Sequence, residues 1–588
     1  MKRALALSVV FAGSWLCAGE TRFEAFDQDP LWEGHNNFST AFDMRPVVQD
    51  FGYSATTNCN ASAGEVGGTI TPDAKAAYYG KPLPALSFEE SFSASGKLVV
   101  APGGGNTLIG FFNSGSVNEW RTPNTVVFRI YGRSNVFHVN FEYGTRLWRA
   151  GAGLISTYDP VEERYNPVEF PSGTVCTWSL TYTPVGADSG EIVAVFNGQT
   201  ATCTLSPGHR GDGAALNRFG LLDVMKHPDD TGQLWIDEVV INGVPEDFSV
   251  DPGWEAFQNH ASYVSEDTRP RFAFGFSGTQ FNGGTSPGEI GGRFFRGDCR
   301  YPETLAYYGA PLENLSLEAP LEASGKVCLR RAVSDSTTLF GFFHSERSVA
   351  VNPSQSEGLP AEFLGLAIEG PSADGFYIYP CYRTQSEGGS RQYVADLPRI
   401  YPDGQARDWT LTYDPNGNGG GGEIRLACGG HTAVLPLQPG HKALGAQFNR
   451  FGFVTPWIDG NGQVVYFDDL TYTYAVPTRA RFSAFPVEGS APLEVEFTDE
   501  SASTHAITGW TWDFGDGSAP SHERNPIHTY MQDGAYTVGL TITTAADSHT
   551  IQRQWFIDVG NSLPGPALPA LAFLAAALGS FAIRRLRG

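Results

Sequence analysis

The chain has 588 residues, of which 41% are hydrophobic and 13% aromatic, enough for three or four domains with sizeable cores. Its formal net charge is −24. Proteins that bind nucleic acid present a basic surface to the phosphates, so this charge excludes nucleic acid as a partner.

The N-terminus has the pattern of a secretory signal peptide. Lys2 and Arg3 precede the apolar run ALALSVVFAGSWL, which ends near the small residues Ala18 and Gly19. A short apolar stretch between basic and small residues is typical of a leader that is cleaved on export. We predict that residues 1–19 are removed and that the protein is extracellular or attached to the cell surface.

Two diverged copies of one module fill most of the remaining chain. DPLWEGHNN at residues 29–37 returns as DPGWEAFQN at 251–259, and GEVGG at 64–68 returns as GEIGG at 288–292. LIGFFNS at 108–114 likewise returns as LFGFFHS at 339–345. A period above two hundred residues is too long for a solenoid, so each copy is predicted to be a domain with its own core. The predicted boundaries are 20–249 and 250–476.

Both copies consist of short runs in which apolar and polar residues alternate. TVVFRIYG at 125–132, FHVNFEYG at 137–144 and EIVAVFNG at 191–198 are examples, and Gly, Pro, Asn and Asp separate the runs. This period of two indicates antiparallel strands, and so many strands in one domain favour a two-sheet sandwich or jelly roll. The chain is therefore predicted to be all-β, with apolar helices in the signal peptide and the C-terminal tail.

The order of the strand motifs resembles that of concanavalin-A-like or laminin-G-like jelly rolls. WSLTYTP, EIVAVFNG, NRFGLL and LWIDEVVING in the first copy correspond to WTLTYDP, EIRLACGG, NRFGFV and VYFDDLTYT in the second. The modules also resemble those of a set of uncharacterised secreted bacterial proteins. It implies two tandem jelly-roll domains and says little about activity.

Residues 477–560 form a separate domain with a more specific signature. GWTWDFGDGS at 509–518 is followed by NPIHTY at 525–530 and GAYTVGLTIT at 534–543. These motifs closely resemble those of a PKD domain, which implies an immunoglobulin-like β-sandwich. Trp512 and Phe514 alternate with Asp513 as a strand requires, and the following GDG suits a tight turn.

The final segment, residues 561–588, is a tail with a Pro-containing start, an apolar run and a basic end. The run at 567–583 is followed by Arg584, Arg585 and Arg587. The pattern resembles bacterial PEP-CTERM-like sorting signals, which implies recognition and removal by a membrane protease. The alternative is a plain C-terminal membrane anchor, and in both cases the body of the protein faces outward.

The repeated Trp-Glu motif is a candidate carbohydrate site. Sugar binding uses an aromatic face for the ring and amide or carboxylate groups for the hydroxyls. The alternative is that the tryptophans cap the core and the asparagines hold a loop through side-chain turns. The candidates are Trp32, Glu33, Asn36 and Asn37 in the first copy and Trp254, Glu255 and Asn259 in the second.

Glu65 and Glu289 occupy equivalent places in the two glycine-rich GE[VI]GG motifs. Glycines beside a carboxylate allow a ligand to approach, so both residues are further carbohydrate-site candidates, and paired carboxylates would serve glycoside hydrolysis. No E-x-D-x-x-E strand of a jelly-roll glucanase is present. The alternative is a glutamate that accepts backbone hydrogen bonds in a tight loop.

Asp237 and Asp468 lie in the closing strand of each copy. An aspartate at this place binds structural calcium in several carbohydrate-binding jelly rolls, so the resemblance implies calcium here, with further acidic ligands near the start of each domain. Calcium prefers such hard oxygen ligands. The candidate partners are Asp27 and Asp29 in the first copy and Asp247 and Asp251 in the second, and the alternative is a surface salt bridge.

His209 and His441 follow Pro-Gly in both copies, but no nucleophile motif accompanies them, so we predict loop residues.

The leading hypothesis is an exported surface protein that binds extracellular polysaccharide or a surface protein in adhesion, and it assigns no catalytic residue. The second is a polysaccharide hydrolase or lyase, which needs clustered carboxylates, or a Tyr/His base with a basic neutraliser, in one groove. The third is a structural envelope protein without a small ligand.

Overall fold

The computed structural model describes residues 21–38, 45–116, 122–265, 267, 271–318, 320–352, 358–370, 373–385, 389–391, 399–474, 480–501, 507–544 and 548–560. They fall into two compact units, which divide after Tyr474. The predicted signal peptide at 1–19 and the predicted tail at 561–588 lie outside the described residues. Within those ranges, no helix is long and apolar enough to cross a membrane.

Short strands make up the first half of the larger unit, together with one turn of helix, α1 (His209–Asp212). The strands are β1 (Thr21–Glu24), β2 (Glu33–His35), β3 (Arg45–Ser54), β4 (Glu65–Ile70), β5 (Tyr78–Leu86), β6 (Phe92–Val100), β7 (Asn106–Phe112), β8 (Thr125–Arg133), β9 (Val136–Gly144), β10 (Ala150–Leu154), β11 (Ser156–Asp159), β12 (Arg164–Pro167), β13 (Phe170–Pro171), β14 (Cys176–Val185), β15 (Ser189–Phe196), β16 (Gln199–Thr204), β17 (Leu216–Asp223), β18 (Gly232–Ile241) and β19 (Val244–Pro245).

The second half repeats this pattern and has a 3₁₀ turn at Pro302–Thr304 and two helical turns, α2 (Gly417–Gly420) and α3 (His441–Leu444). Its strands are β20 (Glu255–Phe257), β21 (His260–Ser265), β22 (Ala273–Ser277), β23 (Glu289–Phe295), β24 (Tyr307–Ser316), β25 (Leu321–Ala332), β26 (Thr337–Phe343), β27 (Phe363–Glu369), β28 (Tyr377–Arg383), β29 (Gly389–Arg391), β30 (Ala406–Asp414), β31 (Glu423–Cys428), β32 (His431–Pro436), β33 (Gln447–Val454) and β34 (Gly462–Thr473).

The larger unit contains two sandwiches of two antiparallel sheets each. In the first sandwich, the sheet β16-β15-β14-β6-β18-β4-β3-β21 faces the sheet β10-β9-β8-β7-β17-β5-β20 across one core. In the second, the sheet β22-β23-β34-β25-β30-β31-β32 faces the sheet β2-β24-β33-β26-β27-β28-β29. The alternating runs are strands because one face of each sheet lies on the core.

Each Trp-Glu segment packs into one sandwich but is followed in the sequence by the strands of the other sandwich. Strand β1 pairs with β34 and β2 pairs with β24, so residues 21–38 belong to the second sandwich. Strand β20 pairs with β5 and β21 pairs with β3, so residues 251–265 belong to the first. The first sandwich is therefore continuous from residue 45 to 265, whereas the second is closed by the N-terminal segment.

The smaller unit is an immunoglobulin-like sandwich with strands β35 (Phe482–Phe485), β36 (Glu488–Gly489), β37 (Leu493–Asp499), β38 (Gly509–Asp513), β39 (Ile527–Tyr530), β40 (Gly534–Thr543) and β41 (Ser548–Val559). The sheet β35-β37-β39 faces the sheet β36-β41-β40-β38. Trp512 is fully buried, and its ring lies 5.2 Å from that of Phe482. The predicted fold, two jelly-roll sandwiches and one immunoglobulin-like sandwich, is confirmed.

Candidate functional site

Both motif tryptophans lie in the cores, and each is only 6% exposed. The ring of Trp32 lies 5.7 Å from Phe26 and 5.7 Å from Tyr308 in the second sandwich. The ring of Trp254 stacks on Tyr79 at 5.8 Å in the first. A ring enclosed in this way offers no open face to a sugar, so the geometry favours the alternative, in which the tryptophans cap the cores.

The glutamates of the same motifs hold their segments against the sheets. Glu33 forms an ion pair with Arg450, and Glu255 forms the equivalent pair with Arg218. The hydroxyl of Tyr78 also donates to Glu255 at 2.7 Å. The hydrogen bond from Tyr78 has the largest effect and lowers the pKa of Glu255; burial opposes it, and Arg218 lowers the pKa further. Both carboxylates are thus engaged with their own sandwich.

The motif asparagines use their amides to bind the main chain. Asn36 donates to a main-chain carbonyl oxygen of the second sandwich at 2.9 Å. Asn37 donates from Nδ2 to the carbonyl oxygen of Phe274 at 2.7 Å, and its own main-chain carbonyl oxygen accepts from the Phe274 N–H at 3.1 Å. Asn259 makes the same two bonds with Phe51. These amides extend the strand pairing, which leaves them poorly placed to bind sugar hydroxyls.

Glu65 and Glu289 are buried acceptors at the centre of equivalent loops, and each is at most 1% exposed. Glu65 accepts from the Thr56 hydroxyl at 2.5 Å, from Asn58 through both its N–H at 2.9 Å and its amide at 2.6 Å, and from the Cys59 N–H at 2.8 Å. The loop alternative therefore describes these residues best, and the structure does not bring them into one groove.

Glu289 repeats this arrangement in the second sandwich. It accepts from the Thr279 hydroxyl at 2.6 Å, the Phe281 N–H at 2.9 Å, and the N–H and side-chain amide of Asn282 at 3.1 and 2.9 Å. The preceding glycine, Gly288, has a φ of 118°, a conformation that other residues rarely adopt. The GE[VI]GG motif is thus explained by loop geometry.

Asp237 and Asp468 lie at a bulge in the closing strand of each sandwich. The Oδ1 atom of each accepts from the N–H of the next residue at 2.7 Å, and that residue has a φ of 49° in both copies. In the first copy, Lys97 forms an ion pair with Glu238 at 2.5 Å. A salt bridge is therefore present at this bulge, although Glu238 makes it and the candidate Asp237 does not.

The candidate calcium ligands are not brought together. Among the described residues, no three His, Cys, Asp or Glu side chains form a group that could hold a metal ion. Asp29 and Asp251 instead accept main-chain N–H groups two residues ahead, at 2.9 and 2.8 Å. The residues present therefore do not fit a calcium ion, and calcium stays a prediction of the sequence.

The Asp468 carboxyl is fully buried, and burial raises its pKa to about 7. Between the ordinary pKa near 4 and pH 7 the folded state binds this proton more tightly than the unfolded state, so stability falls as the pH rises through this range. We expect Asp468→Asn to stabilise the second sandwich by about 1–3 kcal/mol at pH 8 and to have little effect at pH 4.5.

Thermal unfolding of both proteins at the two pH values, each with calcium and with a chelator, tests this expectation. A difference in melting temperature between the two proteins that does not change with pH would contradict this expectation. Stabilisation by calcium that disappears in Asp468→Asn would instead revive the calcium prediction.

His209 and His441 lie in the equivalent turns α1 and α3. The Nδ1 atom of His209 is 2.9 Å from the Tyr143 hydroxyl, and that of His441 is 2.8 Å from the Tyr382 hydroxyl. Burial, followed by the charge of Arg149, lowers the pKa of His209 to about 4. A neutral histidine bonded to a tyrosine anchors its turn, as the predicted loop role requires.

A polar cluster on the outer face of the first sandwich was not predicted. In β8 and β9, residues 126, 128 and 130 and residues 137, 139 and 141 point into the core, so the residues between them lie on the opposite face. The strand register places Arg129 beside Asn140, and Tyr131 between His138 and Asn106. We call Asn106, Arg129, Tyr131, His138, Asn140 and Glu142 the outer polar cluster.

The outer polar cluster combines a rigid ion pair with unsatisfied polar atoms. Arg129 binds Glu142 through two hydrogen bonds, at 3.0 and 2.6 Å, which fix its guanidinium. Asn106 Oδ1, His138 Nδ1 and Asn140 Oδ1 are buried and have no hydrogen-bond partner among the described residues. Buried polar atoms normally have partners, so this group marks a place for a polar ligand or ordered water.

The sequence contains the signal for this cluster. FRIYG and FHVNFE place Arg129, Tyr131, His138, Asn140 and Glu142 at alternate positions of adjacent strands, where an ordinary outer face needs no such combination. The register that makes them neighbours depends on strand pairing, which the sequence does not reveal. The second sandwich differs here, because Ala367 takes the place of Arg129.

A cavity of about 510 Å³ lies between the two sandwiches. Its walls include the same loop from both copies, residues 224–232 and 454–462. Both cations in the wall are held, because Lys226 pairs with Asp229 and Arg296 donates to Glu369 at 2.9 Å. The lining residues are Lys226, His227, Asp229, Arg296, Asp335, Ile458, Asp459, Gly460 and Asn461.

Comparison with known proteins identifies the smaller unit. Residues 482–558 match the PKD domain family. The chain contains a PKD domain. This domain is 32% identical to the PKD1 domain of the Vibrio cholerae metalloprotease PrtV, a match that covers 14% of this chain and 99% of that chain with a TM-score of 0.13. The PKD prediction from the WDFGDG motif is confirmed.

Two further similarities are to solved structures of other proteins. Domains LG4-5 of the mouse laminin alpha1 chain are 11% identical over 78% of this chain and 92% of that chain, with a TM-score of 0.19. An alginate lyase from Pseudomonas aeruginosa is 14% identical over 37% of this chain and 93% of that chain, with a TM-score of 0.21.

Proposed function

We propose that the protein binds an extracellular polysaccharide at the outer polar cluster of its first sandwich. The observation that carries this proposal is a set of three atoms on one sheet face that have no hydrogen-bond partner in the described part of the chain: Asn106 Oδ1, His138 Nδ1 and Asn140 Oδ1. Sugar hydroxyls both donate and accept hydrogen bonds, so a sugar is matched to amide, imidazole and phenol groups on one rigid surface.

The neighbours of these atoms also suit a sugar. Tyr131 is partly exposed and provides an aromatic surface, and the Arg133 guanidinium lies 5.9 Å from its ring centroid. The Arg129–Glu142 ion pair holds the middle of the cluster rigid, which lowers the entropy cost of binding. The proposal thus keeps the carbohydrate hypothesis but assigns it to residues other than the Trp-Glu motif.

Only the first sandwich carries this set. At the equivalent places in the second sandwich, Glu369 replaces Tyr131, Tyr377 replaces His138 and Tyr379 replaces Asn140. We therefore infer that the duplication does not provide two equal sugar sites. The role of the second copy in this proposal is structural.

We also propose export to the cell surface, where such a ligand is found. The signal peptide pattern at 1–19 and the sorting or anchor pattern at 561–588 support this location, and a membrane protease is the proposed partner of the tail. A PKD domain between the sandwiches and the tail suits a spacer or a protein-contact module.

A second candidate, favoured by one specific observation, is a polysaccharide lyase. Tyr131 pairs with His138 on the adjacent strand, and Arg129 pairs with Asn140 in the next row of the same face. Tyr131 and His138 are candidates for the base of the lyase hypothesis, and Arg129 of the Arg129–Glu142 ion pair is a basic group on the same face. The base would take the proton next to the carboxylate of a uronate, a carbon–carbon double bond would form, and the bond to the neighbouring sugar oxygen would break. That oxygen would leave with the bonding electrons and take up a proton to become a hydroxyl group.

Affinity electrophoresis of the full chain through gels that contain different polysaccharides tests the binding proposal. We expect one glycan to retard the protein, and we expect Asn140→Ala to weaken this binding about tenfold through the loss of one or two hydrogen bonds. Gln199→Ala changes an exposed amide on the opposite sheet and is the matched control.

Two results would count against binding at this face: no retardation on any glycan, or equal retardation of Asn140→Ala and the parent. Incubation of the same proteins with uronate-containing glycans distinguishes the lyase. A rise in ultraviolet absorbance from the unsaturated product, lost in Tyr131→Phe, would favour it over simple binding.

A further inference from the structure

The N-terminal segment, residues 21–38, makes its contacts with the second sandwich. Strand β1 pairs with β34 through four residue pairs, and β2 pairs with β24 through three. The ring of Trp32 enters the second core, and Asn37 continues the strand pairing at Phe274. These strand pairings, hydrogen bonds and ring contacts all join the segment to residues 271–474.

The first sandwich contains an equivalent arrangement. Residues 251–265 place Trp254 in its core, Glu255 beside Arg218, and Asn259 on the main chain of Phe51. Each sandwich thus has a groove that accepts a segment of the form D-P-x-W-E followed by Asn at the ninth position. In the first sandwich this segment follows the closing strand directly, whereas in the second it comes from the opposite end of the chain.

Only the connector at 39–44 joins the N-terminal segment to the first sandwich. Phe38 and Arg45 are seven residue steps apart, so the connector spans at most about 24 Å. A segment whose strand pairings and core ring contacts are with one folded body can make them whichever chain supplies it. The connector and the protein concentration then set the balance between docking of the segment within its own chain and docking on a second chain.

We propose that the second sandwich also accepts the N-terminal segment of a second copy, so that the protein self-associates by exchange of residues 21–38. The occupant of the groove is the same segment in both states. Association therefore needs no new interface. The duplicated module lets one copy, the first, complete itself, while the other depends on a segment that a neighbouring chain can provide. This proposal does not depend on the sugar site.

Cysteine cross-linking of the full chain tests this proposal. Phe38 and Ala273 face each other in an antiparallel bridge, close enough for a disulfide if both are replaced by cysteine. Phe38→Cys and Ala273→Cys are made in separate chains, with the partly exposed Cys203 changed to Ser in both. The two chains are mixed at high concentration, oxidised and separated by mass. The double variant in one chain reports docking within a molecule.

We expect the mixture to yield a covalent heterodimer that neither single variant forms alone. Adding Trp32→Ala to the Phe38→Cys chain should lower the yield at least about tenfold, because the buried ring anchors the segment. Deleting residues 41–43 should raise the yield several-fold, because a shorter connector disfavours docking within one chain.

The proposal is overturned if the double variant closes within one chain while the mixture gives no heterodimer, even with the shortened connector. It is also overturned if Trp32→Ala leaves the heterodimer yield unchanged, because the cross-link would then report random collision.

Discussion

Trp32→Ala is expected to lower the free energy of unfolding of the second sandwich by about 3–5 kcal/mol, the usual cost of removing a large buried aromatic side chain. The Trp32 ring is 6% exposed and lies among Phe26, Tyr308 and Tyr472. Its loss removes these contacts and weakens the attachment of the N-terminal strands. For a domain of about two hundred residues, the corresponding fall in melting temperature is about 6–20 °C.

Leu31→Ala is the matched control for this prediction. Leu31 is the adjacent residue of the same segment and is 82% exposed, so its truncation should change stability by less than about 0.5 kcal/mol. Trp254→Ala should reproduce the large loss in the first sandwich. Calorimetry of the three variants measures these effects, and a Trp32→Ala protein as stable as Leu31→Ala would show that the ring does not cap the core.

Glu289→Ala is expected to destabilise the second sandwich by about 3–5 kcal/mol, because it leaves several buried donors without an acceptor. Thr279, Phe281 and Asn282 together donate four hydrogen bonds to this carboxylate. Glu289→Gln should lower the free energy of unfolding by a smaller amount, because one acceptor oxygen remains. It should still be destabilising, because the new NH2 group faces donors that have lost their acceptor. Glu65→Ala should produce the same loss in the first sandwich.

Glu346 provides the control for the carboxylate prediction. It is exposed in the same sandwich, and its truncation should have an effect below about 0.5 kcal/mol. Denaturant unfolding of Glu289→Ala, Glu289→Gln and Glu346→Ala gives the three values. If Glu289→Ala were as stable as the parent but lost glycan retardation, the residue would be a ligand-binding group, and the structural assignment would fail.

The repeated motifs show why recurrence in one chain does not by itself identify a binding site. Trp32, Glu33 and Asn37 return as Trp254, Glu255 and Asn259 because both sandwiches need the same closing segment. Glu65 and Glu289 recur because both loops need the same buried acceptor. The outer polar cluster, by contrast, is present in the first copy and not at the equivalent positions of the second. A search for residues that recur in both copies therefore does not detect it.

The fold was largely predictable from local patterns. Strands such as β8 and β9 alternate apolar and polar residues because one face lies on a core, and this periodicity survives in the sequence. The PKD domain was predictable because Trp512 and Phe514 and the turn after them are adjacent in sequence. The candidate site was not, because Arg129 and Asn140 become neighbours only through the pairing of two strands.

The sequence by itself determined the all-β class, the duplication and the PKD domain, since each depends on residues that are close together along the chain. Only the tertiary structure decided that residues 21–38 close the second sandwich, because the two equivalent grooves accept nearly the same segment and strand pairing is a long-range choice. It also decided that Trp32 is buried and Tyr131 partly exposed. Exposure depends on which surfaces the folded chain brings together, and the residue type alone does not specify it.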